Sequence, residues 1–156
     1  MTEDLAARAA NAFAPELAQP PPMSLRGGND VDSYDTPTPY DPVADRLDDA
    51  YIEKHAYFAL PHLDPDSWRH YLAPLIAYAL ERKSEAGNLV IDGLIWGFFP
   101  PDRDPPRFGS LTVEQEAVVV AFLDVMAFDE TSQYSDDAIQ ALEEWWGPKA
   151  RYRPQA

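Results

Sequence analysis

The sequence predicts an all-α fold, an irregular bundle of five or six helices that forms a single domain over residues 1–156. Apolar residues recur at helical spacing in several segments, and residues typical of helix ends flank these segments. Most of the 16 prolines lie between the segments rather than inside them. A chain of 156 residues with 46% hydrophobic residues is large enough to bury one core.

The first part of the chain predicts two helices. Residues 3–14 are rich in alanine and place their apolar residues on one face, and Pro15 ends this helix. Residues 43–59 also follow helical spacing, with apolar residues on one side and acidic residues on the other, and Pro61 follows. Both segments therefore have the amphipathic pattern of helices that cover a core.

A long, Pro-rich N-terminal connector is predicted between these two helices. Residues 15–42 contain many of the prolines and the Gly27-Gly28 pair, and they show no sustained apolar period. Loops of this length are either functional or simple connectors, and a packed or mobile connector is the simpler interpretation. The glycine pair alone is too weak a pattern to indicate a phosphate site.

The helix with the strongest signals is predicted over residues 64–83. Asp64 is a favourable N-cap, and Pro65 occupies the first helical position, where its missing N–H removes no helical hydrogen bond. The apolar positions then repeat every three or four residues: Trp68, Tyr71, Leu72, Leu75, Ile76, Ala79 and Leu80. Pro74 lies within this pattern and is expected to kink the helix.

Two further helices are predicted in the second half of the chain. Residues 88–99 are apolar, and their period also fits a buried strand, but Asn88 as an N-cap favours a helix. Residues 100–111 form a loop rich in proline and aspartate. Thr112 and Gln115 then have the spacing of a capping box and begin a helix that is apolar on nearly all sides.

The last helix is predicted to begin at Ser135, as its N-cap, and to end at Gly147. Trp145 and Trp146 continue its apolar stripe, so we expect at least one of them in the core rather than in an exposed recognition patch. The tail 149–156 is basic and short, and we expect it to be frayed.

The chain is strongly acidic. It contains 27 Asp and Glu residues against 12 Lys and Arg residues, which gives a formal net charge of −15. A field of this sign repels nucleic acid and anionic membranes and attracts basic partners. We therefore expect a protein partner, such as a basic toxin domain, and no nucleic-acid or membrane partner, although a high charge also serves solubility alone.

The sequence contains no motif of a familiar catalytic or nucleotide-binding site, and we expect no enzyme activity, metal or cofactor. It has no cysteine, which excludes disulfides and thiolate chemistry. His62, Asp64, Asp66 and His70 lie close in sequence, but the start of a helix already explains the two carboxylates. The absent cysteine, the acidic start and the short apolar runs favour a cytoplasmic protein.

One stretch of the chain has a distinctive pattern. It runs Phe58-Ala59-Leu60 and then Leu63-Asp64-Pro65-Asp66-Ser67-Trp68-Arg69-His70-Tyr71-Leu72-Ala73-Pro74. Further segments are Ala12-Phe13-Ala14, Gln115 to Phe122-Leu123, and Ala141-Leu142-Glu143-Glu144-Trp145-Trp146. These segments resemble DUF6714, a family of unknown function, whose pattern is similar to a helix-opening Thr/Ser-Pro-Glu, an aromatic-Arg-aromatic-Tyr run and Leu-Pro. The resemblance implies a small helical bacterial domain and supplies no catalytic residues.

Small size, high negative charge and the lack of catalytic motifs favour an immunity or antitoxin-type protein that binds and neutralises a bacterial toxin. The candidate partner-binding residues form two acidic groups: Asp45, Asp48, Asp49 and Glu53 in the first, and Asp129, Glu130, Asp136 and Asp137 in the second. The first group is expected on the solvent-facing side of a helix, and the Asp136–Asp137 pair of the second group is also expected to face solvent.

Two other functions are open alternatives. The first is an adaptor or chaperone-like module that binds an extended peptide in a groove supplied by residues 15–42 or 113–128, through a salt-insensitive interface. The second is an enzyme with an unfamiliar site, which requires a buried carboxylate with a shifted pKa facing His62 or His70. Nothing in the sequence indicates the oligomeric state.

Overall fold

The computed structural model describes the backbone of residues 2–154 and the side chains of residues 4–154. This part of the chain contains eight α-helices and no β-strand, which confirms the all-α class with more helices than expected. The helices are α1 Thr2–Ala12, α2 Ala14–Leu17, α3 Leu25–Asp32, α4 Asp49–Ala59, α5 Pro65–Glu81, α6 Leu89–Trp96, α7 Val113–Phe128 and α8 Ser135–Ala141. A π-helical turn, Leu142–Trp146, extends α8.

The predicted helix starts at Asp64, Asn88 and Thr112 are confirmed. The Asp64 side chain accepts from the Ser67 N–H, and the Asn88 side chain accepts from two N–H groups of α6. Thr112 and Gln115 form the complete capping box. Each of these side chains satisfies backbone donors that the first helical turn leaves without a partner, which is why the boundaries are visible in sequence.

The aromatic core lies where α5, α6, α7 and the π-helical turn meet. Trp68, Phe98, Phe108 and Trp146 are buried, and each ring centroid lies 4.9 to 6.0 Å from that of another member. The Trp146 Nε1–H donates to the Phe98 carbonyl at 2.8 Å, so its polar atom is satisfied inside the core. The expectation that at least one tryptophan of the pair is buried is therefore correct, and Trp145 is partly buried.

Helix α4 begins six residues later than the sequence suggests. Asp48 is its N-cap, and the Asp48 carboxylate accepts from the Tyr51 N–H at 2.9 Å. Asp45 does not continue the helix, because its carboxylate accepts from the Asp41 N–H at 2.7 Å and closes a turn. Local hydrogen bonds of Asp side chains compete with helix formation in this way.

The expectation that residues 15–42 are irregular throughout is wrong, since α2 and α3 lie within them. Ser24 caps α3 by accepting from the Gly27 N–H. A Cβ atom on Gly28 would lie 2.7 Å from the Ala59 Cβ, so glycine permits α3 to pack directly on α4. The glycine pair thus serves helix packing.

The C-terminal segment also differs from expectation. Ser135 is the first residue of α8 and Tyr134 occupies the N-cap position, because the Tyr134 ring is buried and its hydroxyl donates to the Glu85 carbonyl. The tail is packed rather than frayed as far as Arg153, which donates to Glu116 at 2.7 Å, and Ala150 is buried.

Among residues 2–154, no helix is both long and apolar enough to cross a bilayer. Residues 155 and 156 of the expected frayed tail lie outside the described residues.

Candidate functional site

The first predicted acidic group is only partly a surface feature. Asp45 is 3% exposed, which corrects the expectation that it lies on a solvent-facing helix surface. Its carboxylate accepts from Arg26 Nε and Nη2, both at 3.0 Å, and from the Tyr51 hydroxyl at 2.7 Å. Burial opposes its ionisation, but these hydrogen bonds and the Asp41 N–H outweigh burial and lower the pKa of Asp45 to about 2. Asp45 therefore fastens the segment before α4 to α3.

The other members of this first group also have internal partners. Asp48 caps α4, the Asp49 carboxylate accepts from Arg82, and Glu53 accepts from the Tyr78 hydroxyl at 2.7 Å. Asp48, Asp49 and Glu53 are exposed, but their hydrogen bonds hold α4 in place. The four residues do not form one free acidic face.

The second predicted group divides into two parts. Asp129 ends α7 and accepts from the Thr131 hydroxyl and N–H, which lower its pKa, and its carboxylate lies 4.0 Å from Lys83. Glu130 is exposed beside it. Asp136 and Asp137 lie apart from this turn, in the first turn of α8. Their acidic side chains at a helix N-terminus are favourably placed relative to the helix dipole.

Asp136 and Asp137 line a depression together with Asp92 of α6. This acidic depression, defined by Asp92, Asp136 and Asp137, has a volume of about 410 Å³. Among the described residues, no Lys or Arg nitrogen lies within 4.0 Å of these three carboxylates. The depression is therefore a site of uncompensated negative charge.

Asp92 is the member of the depression that the sequence patterns do not single out. Burial raises the pKa of Asp92, and the nearby charge of Asp137 raises it further. The sequence does carry one signal: Asp92 is a single carboxylate within the apolar run 88–99. A charged side chain in such a run is costly to bury unless it has a partner.

Trp96 joins the acidic depression to a second concave feature. Its Nε1–H donates to Asp137 at 2.9 Å, while its ring, 44% exposed, lines a cleft of about 360 Å³. We call this feature the aromatic cleft and define it by five lining residues: Tyr57, Phe58, Trp96, Arg103 and Arg107. In the sequence, Arg103 and Arg107 lie in the predicted loop 100–111, and two cations in an otherwise acidic loop are the available signal for this cleft.

The histidines have structural partners. His70 Nδ1 lies 2.8 Å from the Glu16 carbonyl, and His62 Nε2 lies 3.0 Å from an Asp32 carboxylate oxygen. Of the five carboxylates with shifted pKa values, only Asp92 lines one of the main pockets of the described residues, and neither His62 nor His70 lines that pocket. Within residues 4–154, no three acidic or histidine side chains lie close enough together to hold a metal ion.

Fold and site together define a small all-helical protein with an acidic depression beside an aromatic cleft. The model of the family of unknown function DUF6714 matches residues 1–150, and the chain belongs to this family. The match extends across residues 15–42, where motifs alone show no resemblance. No curated protein and no solved structure matches the chain.

Proposed function

We propose that this chain is an acidic binding protein of the immunity or antitoxin type, which neutralises a bacterial toxin by direct contact and has no reaction of its own. The observation that carries the proposal is the acidic depression, three carboxylates without a cationic partner in a chain of net charge −15. Such a surface accelerates encounter with a basic protein by electrostatic steering.

The depression has the features of a contact point for a basic side chain. Because Asp92 is partly desolvated, a lysine or arginine of the partner gains more from meeting it than from meeting a fully hydrated carboxylate. Trp96 stands at the edge with much of its ring exposed, and tryptophan is among the residues that dominate interface energies. The second acidic group therefore supports the proposal better than the first, whose carboxylates already hold internal partners.

The same charge distribution disfavours nucleic acid and anionic membranes as partners. We also propose a cytoplasmic location, with which the absence of cysteine agrees.

The test is co-purification with the product of the neighbouring gene, since toxins and their inhibitors are commonly encoded side by side. The purified chain is immobilised, and the partner's affinity is measured over a series of salt concentrations. A complex that weakens steadily as salt rises supports the proposal, because screening shortens the range of exposed charges.

Two results would count against it. No complex at any salt concentration removes the inhibitor function. A complex whose affinity does not depend on salt favours the alternative, an adaptor or chaperone-like module that binds a peptide through apolar contacts. Helix α7, one of the two segments proposed for such a groove, packs against α1 and α8 and buries most of its apolar residues, while Val113 and Phe128 at its two ends are exposed.

A further inference from the structure

The aromatic cleft exposes apolar rings next to positive charge. The Tyr57 ring centroid lies 5.3 Å from that of Phe58 and 6.2 Å from that of Trp96, so the three rings form a continuous wall. Phe58 and Trp96 are 45% and 44% exposed. Neighbouring exposed rings in a concave site are typical of a surface that a ligand covers.

Arg107 brings a buried charge to this cleft. It is 2% exposed, its Nη2 donates to the Leu60 carbonyl at 2.8 Å and to the Leu63 carbonyl, and its Nε has no hydrogen-bond partner. Its partners are neutral oxygens, while Asp64 and Asp102 act on it only from a distance. Burial accordingly lowers the pKa of Arg107 to about 10. A buried guanidinium without a carboxylate in contact is costly unless another anion completes its surroundings.

Arg103 stands at the mouth of the same cleft. It is exposed, and its Nη1 donates to the Pro61 carbonyl. The Asp102 carboxylate accepts from the backbone N–H groups of Arg103 and Arg107, at 2.8 and 2.9 Å. Among the described residues, however, no carboxylate oxygen lies within 4.0 Å of a guanidinium nitrogen of either arginine.

Among the described arginines that are buried or partly buried, Arg107 is the exception in having no carboxylate at its guanidinium. A carboxylate contacts each of Arg26, Arg69, Arg82 and Arg153. The chain has 27 acidic residues from which such partners can be drawn. The cleft therefore keeps two cationic groups available for an anion from outside the chain.

Charge and size define the occupant. A guanidinium pairs well with carboxylate or phosphate, but the net charge of −15, with Asp32 also lining the cleft, opposes a multiply charged ligand. The volume of about 360 Å³ is at the small end for ligand pockets and suits a free molecule better than an extended chain. We propose that the aromatic cleft binds a small apolar monocarboxylate, with its ring or aliphatic body against Tyr57, Phe58 and Trp96 and its carboxylate against Arg103 and Arg107.

Phenylacetate and its neutral amide, phenylacetamide, test this site independently of any protein partner. Binding to the full chain is followed by the NMR signal of the Trp96 indole N–H, assigned with Trp96→Phe. We expect phenylacetate to shift this signal saturably and phenylacetamide to bind at least tenfold more weakly. Arg103→Met should weaken phenylacetate at least tenfold. The matched control Arg46→Met, which removes the same charge from an exposed position outside the cleft, should not.

Five results would overturn the proposal, and four of them come from the small ligands. These four are equal binding of acid and amide, no response of the Trp96 signal to phenylacetate, equal losses in Arg103→Met and Arg46→Met, or tighter binding of inorganic phosphate than of phenylacetate. The binding of a short peptide that ends in Phe with a free C-terminus is also measured, and gives the fifth result. Tighter binding of this peptide than of phenylacetate would assign the cleft to a chain end and contradict the small-molecule occupant. A salt-insensitive partner complex would remove the proposed function without affecting any of these results.

Discussion

Replacement of Asp45 by Asn tests whether its carboxylate is a structural element rather than a surface charge. The change keeps the shape of the side chain but removes its ion pair with Arg26. It also places an amide NH₂, which can only donate, opposite the Arg26 and Tyr51 groups that donate to Asp45. The pKa of Asp45 falls from 3.8 to about 2 on folding, which corresponds to about 2 kcal/mol of stabilisation at neutral pH. Breaking a buried ion pair costs about 3 to 5 kcal/mol, and Arg26 keeps some access to water. We therefore expect a loss of about 3 kcal/mol.

The assay is urea unfolding followed by tryptophan fluorescence, with Asp48→Asn as the control. Asp48→Asn removes the same charge three residues away but retains an N-cap acceptor, so its cost should stay below about 0.5 kcal/mol. Because the folded pKa of Asp45 is depressed, its stabilisation is complete above the unfolded value of 3.8 and is lost as the pH falls toward about 2. The stability difference between the parent chain and Asp45→Asn should shrink over that interval. A loss below about 1 kcal/mol at neutral pH, or a difference that does not change with pH, would refute the reasoning.

Three further predictions concern packing, capping and partner binding. Gly28→Ala should destabilise the fold by about 1 to 3 kcal/mol in the same assay, because the new methyl group meets Ala59, whereas Gly93→Ala, with ordinary contacts, should not destabilise it. Asp64→Ala should lower the stability by about 1 kcal/mol and Asp64→Asn by much less, since only the first removes the acceptor for the Ser67 N–H; equal losses would contradict the capping role. The affinity for a basic partner should fall as the pH decreases, beginning above the ordinary Asp pKa of 3.8, because burial raises the pKa of Asp92 and a protonated Asp92 attracts no cation. Asp92→Asn should remove this part of the pH dependence in a binding titration, and a profile identical to that of the parent chain would contradict it.

Sequence patterns predicted the features that depend on local chemistry. Caps such as Asp64, Asn88 and the Thr112–Gln115 box act within one helical turn, so a single sequence displays them. The helix over Pro65–Glu81 continues through Pro74, as its apolar period indicated. The all-α class followed from the same period.

The features that the sequence did not reveal depend on distant contacts. Asp45 is buried because it pairs with Arg26 of α3, 19 residues earlier in the chain, and α3 packs directly on α4 because Gly28 fits against Ala59. Neither contact leaves a periodic trace in the sequence. The acidic depression likewise joins Asp92 to residues more than forty positions away, as the Trp96–Asp137 hydrogen bond at a separation of 41 residues illustrates.

The most direct test of the proposed binding function removes the charge of the acidic depression and leaves the rest of the surface intact. The variant carries Asp92→Asn, Asp136→Asn and Asp137→Asn, and the control carries Asp35→Asn, Asp124→Asn and Glu143→Gln at exposed positions outside the depression. Affinity for the product of the neighbouring gene is measured at low salt. At about 0.5 kcal/mol for each charge, we expect the first variant to bind about tenfold more weakly and the control to bind like the parent chain. Equal affinities for the two variants would contradict the assignment of the depression as the contact surface.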